Sequence, residues 1–231
     1  MKILFCFPYA GGSSSIYYRW NKMVSDSINL VPIELKGRGR RINEGFYSDL
    51  NEAVEDIYEL IKGDINKNDY AFFGHSMGGR LAYKLYHEIK DKNNKKPNHI
   101  FFSGCGAPTA GFKPKSMIHD LPDNEFLERV MEMGGTSEEL LYNKDLQKLY
   151  IPILRNDFKI LEKDNGAESL NKIECDITVL SGDNDNTIST DIKMWENHAG
   201  GRCYHHTFNG NHFFINHYAE EITKMINKTM E

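Results

Sequence analysis

Ser76 sits within Gly74-His75-Ser76-Met77-Gly78, directly behind the apolar run Tyr70-Ala71-Phe72-Phe73 and ahead of the helix-like stretch Leu81-Ala82-Tyr83. A strand that turns into a helix this sharply holds the serine in a strained backbone conformation with its hydroxyl projecting, and small residues on either side let neighbouring backbone pass closely. That is the setting of a nucleophile for an acyl carbonyl. The first helical amide, Met77 N–H, and the positive end of the helix would then face the oxyanion that attack creates. As a bare string the five-residue motif is weak, and its placement between strand and helix gives it weight. A second oxyanion donor is expected from the loop behind the first strand, Pro8-Tyr9-Ala10-Gly11-Gly12, with Ala10 N–H as the candidate; the alternative is a glycine turn without catalytic meaning. Ser13, Ser14 and Ser15 lack such a turn and read as loop.

A serine hydroxyl attacks only when a histidine takes its proton, and the histidine needs an acid to fix its tautomer. His212 lies in Asn209-Gly210-Asn211-His212-Phe213, a loop behind the last apolar strand, and is the candidate base. His205 and His206 fall within that strand and read as structural, whereas His198 and His217 are expected at the surface. Two aspartates compete for the acid in Ser181-Gly182-Asp183-Asn184-Asp185. Asp185 is favoured because the loop has cleared the strand there, while Asp183 is placed to bond turn amides, the ordinary use of aspartate in a turn.

Short apolar runs at residues 3–8, 30–35, 70–74, 99–104, 177–182 and 203–208 alternate with amphipathic stretches, which predicts an α/β fold with a mostly parallel sheet flanked by helices. Helices are expected over 48–63 behind a Ser48 cap, 77–90, 189–199 and 212–230. Residues 108–166 carry helical patterns in succession and no strand, a helical insertion suited to a lid. Within it a helix over 123–133 ends at Gly134-Gly135, and Thr136-Ser137-Glu138-Glu139 has the spacing of a capping box. Met117, Met131 and Met133 are expected to border an acyl chamber, or else to pack between helices.

Length, composition and charge bound the remaining classes. A chain of 231 residues, 40% hydrophobic and 26% charged, fits one globular domain spanning 1–231. A net charge of -5 argues against general affinity for nucleic acid or anionic membrane. No apolar stretch reaches the roughly 18 residues of a membrane-spanning helix. The four cysteines are scattered singly, which fits a reducing cytoplasm and neither a disulfide framework nor a zinc site; no metal is expected.

Taken together, the chain resembles the type II thioesterases that accompany nonribosomal peptide and polyketide synthases, a branch of the α/β-hydrolases. The resemblance rests on Phe7-Pro8-Tyr9-Ala10-Gly11-Gly12, Gly37-Arg38-Gly39-Arg40-Arg41, Gly74-His75-Ser76-Met77-Gly78-Gly79, Ser103-Gly104-Cys105-Gly106-Ala107-Pro108, Pro152-Ile153-Leu154-Arg155-Asn156-Asp157-Phe158 and Gly210-Asn211-His212-Phe213-Phe214. Three residues depart from the family pattern: Lys36 where proline usually precedes Gly-Arg-Gly, Cys105 where arginine is frequent, and Asn186 where proline often follows the acid.

The resemblance implies hydrolysis of acyl thioesters on the phosphopantetheine arm of acyl or peptidyl carrier domains, which restores misprimed or stalled synthase modules. It implies no cofactor of the enzyme's own, since the arm belongs to the partner. Tyr9, His75 and Phe213, sequence neighbours of the candidate donor, nucleophile and base, are expected to contact substrate. A cytoplasmic monomer is expected. Lys36, Arg38, Arg40 and Arg41 form a basic cluster that could dock an acidic carrier, or could be solvated or internally paired. The rival readings are a carboxylesterase, lipase or acyl-CoA thioesterase with the same triad, and a pseudo-hydrolase that only docks a carrier.

Overall fold

The computed structural model describes residues 1–108, 117–164, 172–188 and 192–231. Six strands, β1 (Lys2–Phe7), β2 (Ile28–Pro32), β3 (Tyr70–His75), β4 (His99–Ser103), β5 (Asp176–Gly182) and β6 (Cys203–Phe208), form one sheet in the order β2-β1-β3-β4-β5-β6. Every pairing is parallel. Parallel neighbours require crossovers, and these are supplied by helices including α1 (Leu50–Ile65) and α2 (Met77–Asp91), with α6 (Ala219–Met230) closing the chain. The side-chain period of two splits each strand between two cores. Ile3, Phe5 and Phe7 join Phe72, Phe102 and the apolar faces of α1 and α2, whereas Leu4 and Cys6 join Phe73, Phe101 and the α6 face of Ile222 and Ile226. Burial on both faces is why these strands read as continuous apolar runs. Among the described residues, no helix is long and apolar enough to cross a membrane.

Some expected boundaries move for identifiable reasons. The cap of α1 is Asp49, whose carboxylate accepts from Asn51 and Glu52 N–H, while Ser48 donates its own N–H and hydroxyl to Glu52. A carboxylate capping two amides is the stronger device. The expected helix over 212–230 is divided into a 3-10 turn at Phe214–Asn216 and α6 from Ala219. His198, expected at the surface, is fully buried beside Trp195 and Tyr83, and burial holds its imidazole below the ordinary range.

Residues 117–164 contain no strand and hold α3 (Asp123–Met133), α4 (Glu139–Tyr142) and α5 (Lys144–Glu162). These helices build a third cluster of their own from Ile118, Phe126, Leu127, Val130, Leu140, Ile151, Leu154 and Phe158, while Ile160 and Leu161 anchor the end of α5 in the main core. Residues 109–116 and 165–166 of the expected insertion lie outside the described residues. Of the three methionines, Met117 is half exposed and Met133 packs on the helical cluster, the helix-packing alternative for that residue.

Candidate active site

Ser76 has φ 55° and ψ -116°, a backbone conformation that non-glycine residues rarely adopt and that costs on the order of 1–3 kcal/mol. The strain is held by close approach on three sides. A Cβ at Gly74 would sit 2.1 Å from the Gly78 carbonyl oxygen, and one at Gly78 would sit 2.1 Å from the Phe7 carbonyl oxygen. Ser76 N–H is anchored on the Ser103 carbonyl at 2.8 Å. Only glycine fits at either flank, so Gly78→Ala is expected to push β1 from α2 and to cost about 3 kcal/mol. A fall of roughly 6–12 °C in Tm by calorimetry checks this.

The loop behind β1 leaves against the first turn of α2, because Phe7 pairs with Gly74 in the sheet. Its turn is closed by Gly12 N–H on the Tyr9 carbonyl at 2.9 Å, and Gly11 adopts φ 77°. Gly11 N–H donates to Asp157 at 2.7 Å. Of the amides at 10, 11 and 12, Ala10 N–H alone has no acceptor among the described residues. Met77 N–H stands at the open first turn of α2.

The pairing of Gly182 with Phe208 delivers the loops behind β5 and β6 side by side. There Asp185 Oδ2 lies 2.7 Å from His212 Nδ1, with the Asp185 carboxylate 1% exposed and the His212 ring 8% exposed. Burial pushes the Asp185 carboxyl up, but the bonds from His212 and Thr187 outweigh it and hold the group below its ordinary 3.8. Asp183 instead accepts Gly210 N–H at 2.8 Å and so braces the loop that carries His212. The His212 ring lies 5.0 Å from the ring of His75, the residue before Ser76.

His75 is not placed to touch a substrate as expected. It is fully buried, its Nδ1 is 2.8 Å from Ser103 Oγ, and burial together with the neighbouring His212 holds it neutral. Tyr9 and Phe213 form an edge contact at 5.0 Å. Phe213 also meets the insertion, since a Cβ at Gly135 would sit 2.3 Å from its ring. The end of α3 therefore rests on the loop carrying His212, as Leu154 of α5 rests on Gly11.

A model of the family described as "Thioesterase domain" matches residues 2–230. The chain belongs to this thioesterase family. Its curated relatives include a Brevibacillus parabrevis protein named "Linear gramicidin dehydrogenase LgrE", 33% identical over 99% of this chain and 88% of its own. They also include the medium-chain S-acyl fatty acid synthase thioesterase of Rattus norvegicus, 31% identical over 92% of this chain and 81% of its own. Among solved structures, ClbQ from the colibactin NRPS/PKS pathway superposes with a TM-score of 0.93 at 34% identity, covering 99% of this chain and 96% of its own. The protein is a thioesterase of the serine hydrolase type with an α/β-hydrolase fold, and its relatives include the gramicidin S biosynthesis protein GrsT of Aneurinibacillus migulanus and thioesterase PikA5 of Streptomyces venezuelae.

Two features of the thioesterase site differ from or escaped the sequence reading. Thr187 Oγ donates to Asp185 Oδ1 at 2.6 Å and lies 2.8 Å from His212 Nδ1, while Thr187 N–H donates to the same Asp185 oxygen at 2.9 Å. An Asp-x-Thr spacing is the sequence signal of such a turn. The basic cluster, in contrast, is internally paired. Lys36 faces Glu52 and Asp56, Arg41 binds Asp56 and Glu44, and Arg38 is buried on Asp157, which leaves Arg40 as its exposed cation. Of the two alternatives, internal pairing is what the structure displays for Lys36, Arg38 and Arg41, and these pairs hold the 36–47 loop. Lys36 N–H donates to Tyr47 Oη at 3.1 Å, a bond that the proline usual at this position could not make.

Proposed function

We propose that this thioesterase hydrolyses acyl groups carried on the phosphopantetheine arm of acyl or peptidyl carrier domains. Ser76 Oγ attacks the thioester carbonyl as His212 Nε2 takes the hydroxyl proton, and Asp185 holds the imidazole tautomer and the imidazolium that forms. Met77 and Ala10 N–H receive the oxyanion. Collapse breaks the C–S bond, the departing thiol takes the proton from His212, and the acyl-Ser76 ester remains. Water, deprotonated by His212, then attacks the ester; collapse breaks the bond to Ser76 Oγ, which takes the proton back from His212 as the acid is released. The observation that carries this reading is the buried Asp185–His212 pair, whose His212 ring lies 5.0 Å from that of His75, the residue before the strained Ser76, in a chain of the thioesterase family.

Every group in this cycle comes from one chain, which suits a monomer with neither a metal nor a diffusible cofactor. Four free cysteines, Cys6, Cys105, Cys175 and Cys203, suit the reducing cytoplasm in which such an enzyme would work. The word dehydrogenase in one relative's name has no counterpart in the first turn of this fold. Pro8-Tyr9-Ala10-Gly11-Gly12 lacks the G-x-G-x-x-G that cradles a dinucleotide pyrophosphate.

The test is one acyl group presented on a carrier domain, on CoA and as a simple ester. Contacts remote from the thioester position its carbonyl against Ser76, so kcat/KM on the carrier should exceed that on CoA by about tenfold or more. Equal values on carrier and CoA would make the chain an acyl-CoA thioesterase, and a higher value on the ester would make it a carboxylesterase.

A further inference from the structure

Arg38 and Asp157 form an ion pair between two residues that are 2% and 0% exposed. The guanidinium grips the carboxylate with both terminal nitrogens, Nη1 to Oδ2 and Nη2 to Oδ1, each at 2.6 Å. The pair is not self-contained. Arg38 Nη1 also donates to the Gly12 carbonyl at 3.1 Å, and Asp157 Oδ2 also accepts Gly11 N–H at 2.7 Å. One charged unit thus holds the two glycines that follow Ala10 by an N–H on one side and a C=O on the other. Asp157 belongs to α5, and one turn earlier on the same helix Leu154 covers Gly11 so closely that a Cβ there would lie 2.4 Å from Leu154 Cδ2.

These contacts have a directional consequence. A peptide plane is rigid, so fixing Gly11 N–H fixes the carbonyl of Ala10, and the closed turn from Tyr9 to Gly12 leaves Ala10 N–H little freedom to rotate. The glycines make this loop easy to turn, as Gly11 at φ 77° shows, and an amide that can turn away serves the oxyanion poorly. We propose that Arg38 and Asp157 are positioning residues that aim the Ala10 amide from α5, so that the seating of the helical insertion sets the quality of the oxyanion hole. The inference rests on the reading of Ala10 N–H as an oxyanion donor. Nothing in the reaction needs charges here, and a buried pair of this kind is otherwise often replaceable by apolar residues at no loss of stability.

That replaceability supplies the test. The double variant Arg38→Met/Asp157→Leu removes both charges together and avoids leaving one buried and unpaired. Turnover of a small acyl thioester is measured per active site titrated, alongside the affinity of a boronic acid whose tetrahedral adduct on Ser76 places an oxygen where the oxyanion forms. Loss of one aimed donor should lower kcat about tenfold to a hundredfold with KM nearly unchanged, and weaken boronate binding by a similar factor. Arg38→Lys keeps the charge but not the planar fork, and should lose less in both readouts. It also gives a reading if the double variant does not fold. Wild-type kcat per titrated site in either folded variant would overturn the proposal, as would a fall in kcat with boronate affinity intact. Ser76→Ala run in parallel separates this from failure of the serine mechanism itself, which turnover near the wild-type rate in that variant would indicate.

Discussion

Ser76→Ala and His212→Ala should each lower kcat by about 10⁵- to 10⁶-fold, and the double variant should be no slower than either single one. The reason is that hydroxyl and imidazole form one proton-transfer unit: without the base the hydroxyl is a poor nucleophile, and without the hydroxyl the base has only water to activate. What remains should come from binding and from Met77 and Ala10 N–H. Neither change should unfold the protein. Ser76 owes its geometry to the glycines and backbone around it and not to its own Oγ, and His212 lies in a loop that Asp183 holds independently through Gly210. The measurement is single-turnover hydrolysis of a small acyl thioester beside calorimetry of each variant. A folded Ser76→Ala that turns over at the wild-type rate would dismiss acyl-serine chemistry.

How far the sequence reveals this arrangement depends on whether a group acts locally or across the chain. The strands are legible because burial on both faces writes continuous apolar runs, and the turn at Ser76 is legible because strand, glycines and helix adjoin it in sequence. The choice of Asp185 over Asp183 follows from loop length, and the structure sets the two carboxylates on different partners, His212 and Gly210. What local pattern does not reveal is pairing at long range. Arg38 and Asp157 are 119 residues apart, so Arg38 reads as one more cation in a basic stretch when it is in fact buried. His198 misleads for the same reason, since Trp195 and Tyr83 close over it from different elements. The Ser48 cap fails more narrowly, because an adjacent Asp49 offers the helix a charged acceptor.

Asp185→Asn should cost about 10³- to 10⁴-fold in kcat, whereas Asp183→Asn should cost less than about tenfold. Thr187 explains the size of the first effect. Its hydroxyl and its N–H both donate to Asp185 Oδ1, so an asparagine at this position would turn its carbonyl oxygen toward Thr187 and its NH₂ toward His212. An NH₂ group can only donate, which forces Nδ1 to be the acceptor and moves the ring proton to Nε2. A protonated Nε2 cannot take the proton of Ser76. Asparagine at 183 still offers one oxygen to Gly210 N–H and Asn184 Nδ2, the two donors that Asp183 Oδ1 accepts. A second readout follows from titration. The Asp185 carboxyl lies below 3.8 in the folded protein, so the stability it contributes is complete above that pH and is lost as pH falls through the lowered value. Asp185→Asn should therefore lower Tm more at pH 7 than at pH 3, while Thr187→Val should soften the kinetic penalty of Asp185→Asn by freeing the amide to turn back. Equal kinetic penalties at 183 and 185 would mean that the two aspartates share the work of orienting His212, and a larger penalty at 183 would make that residue the acid.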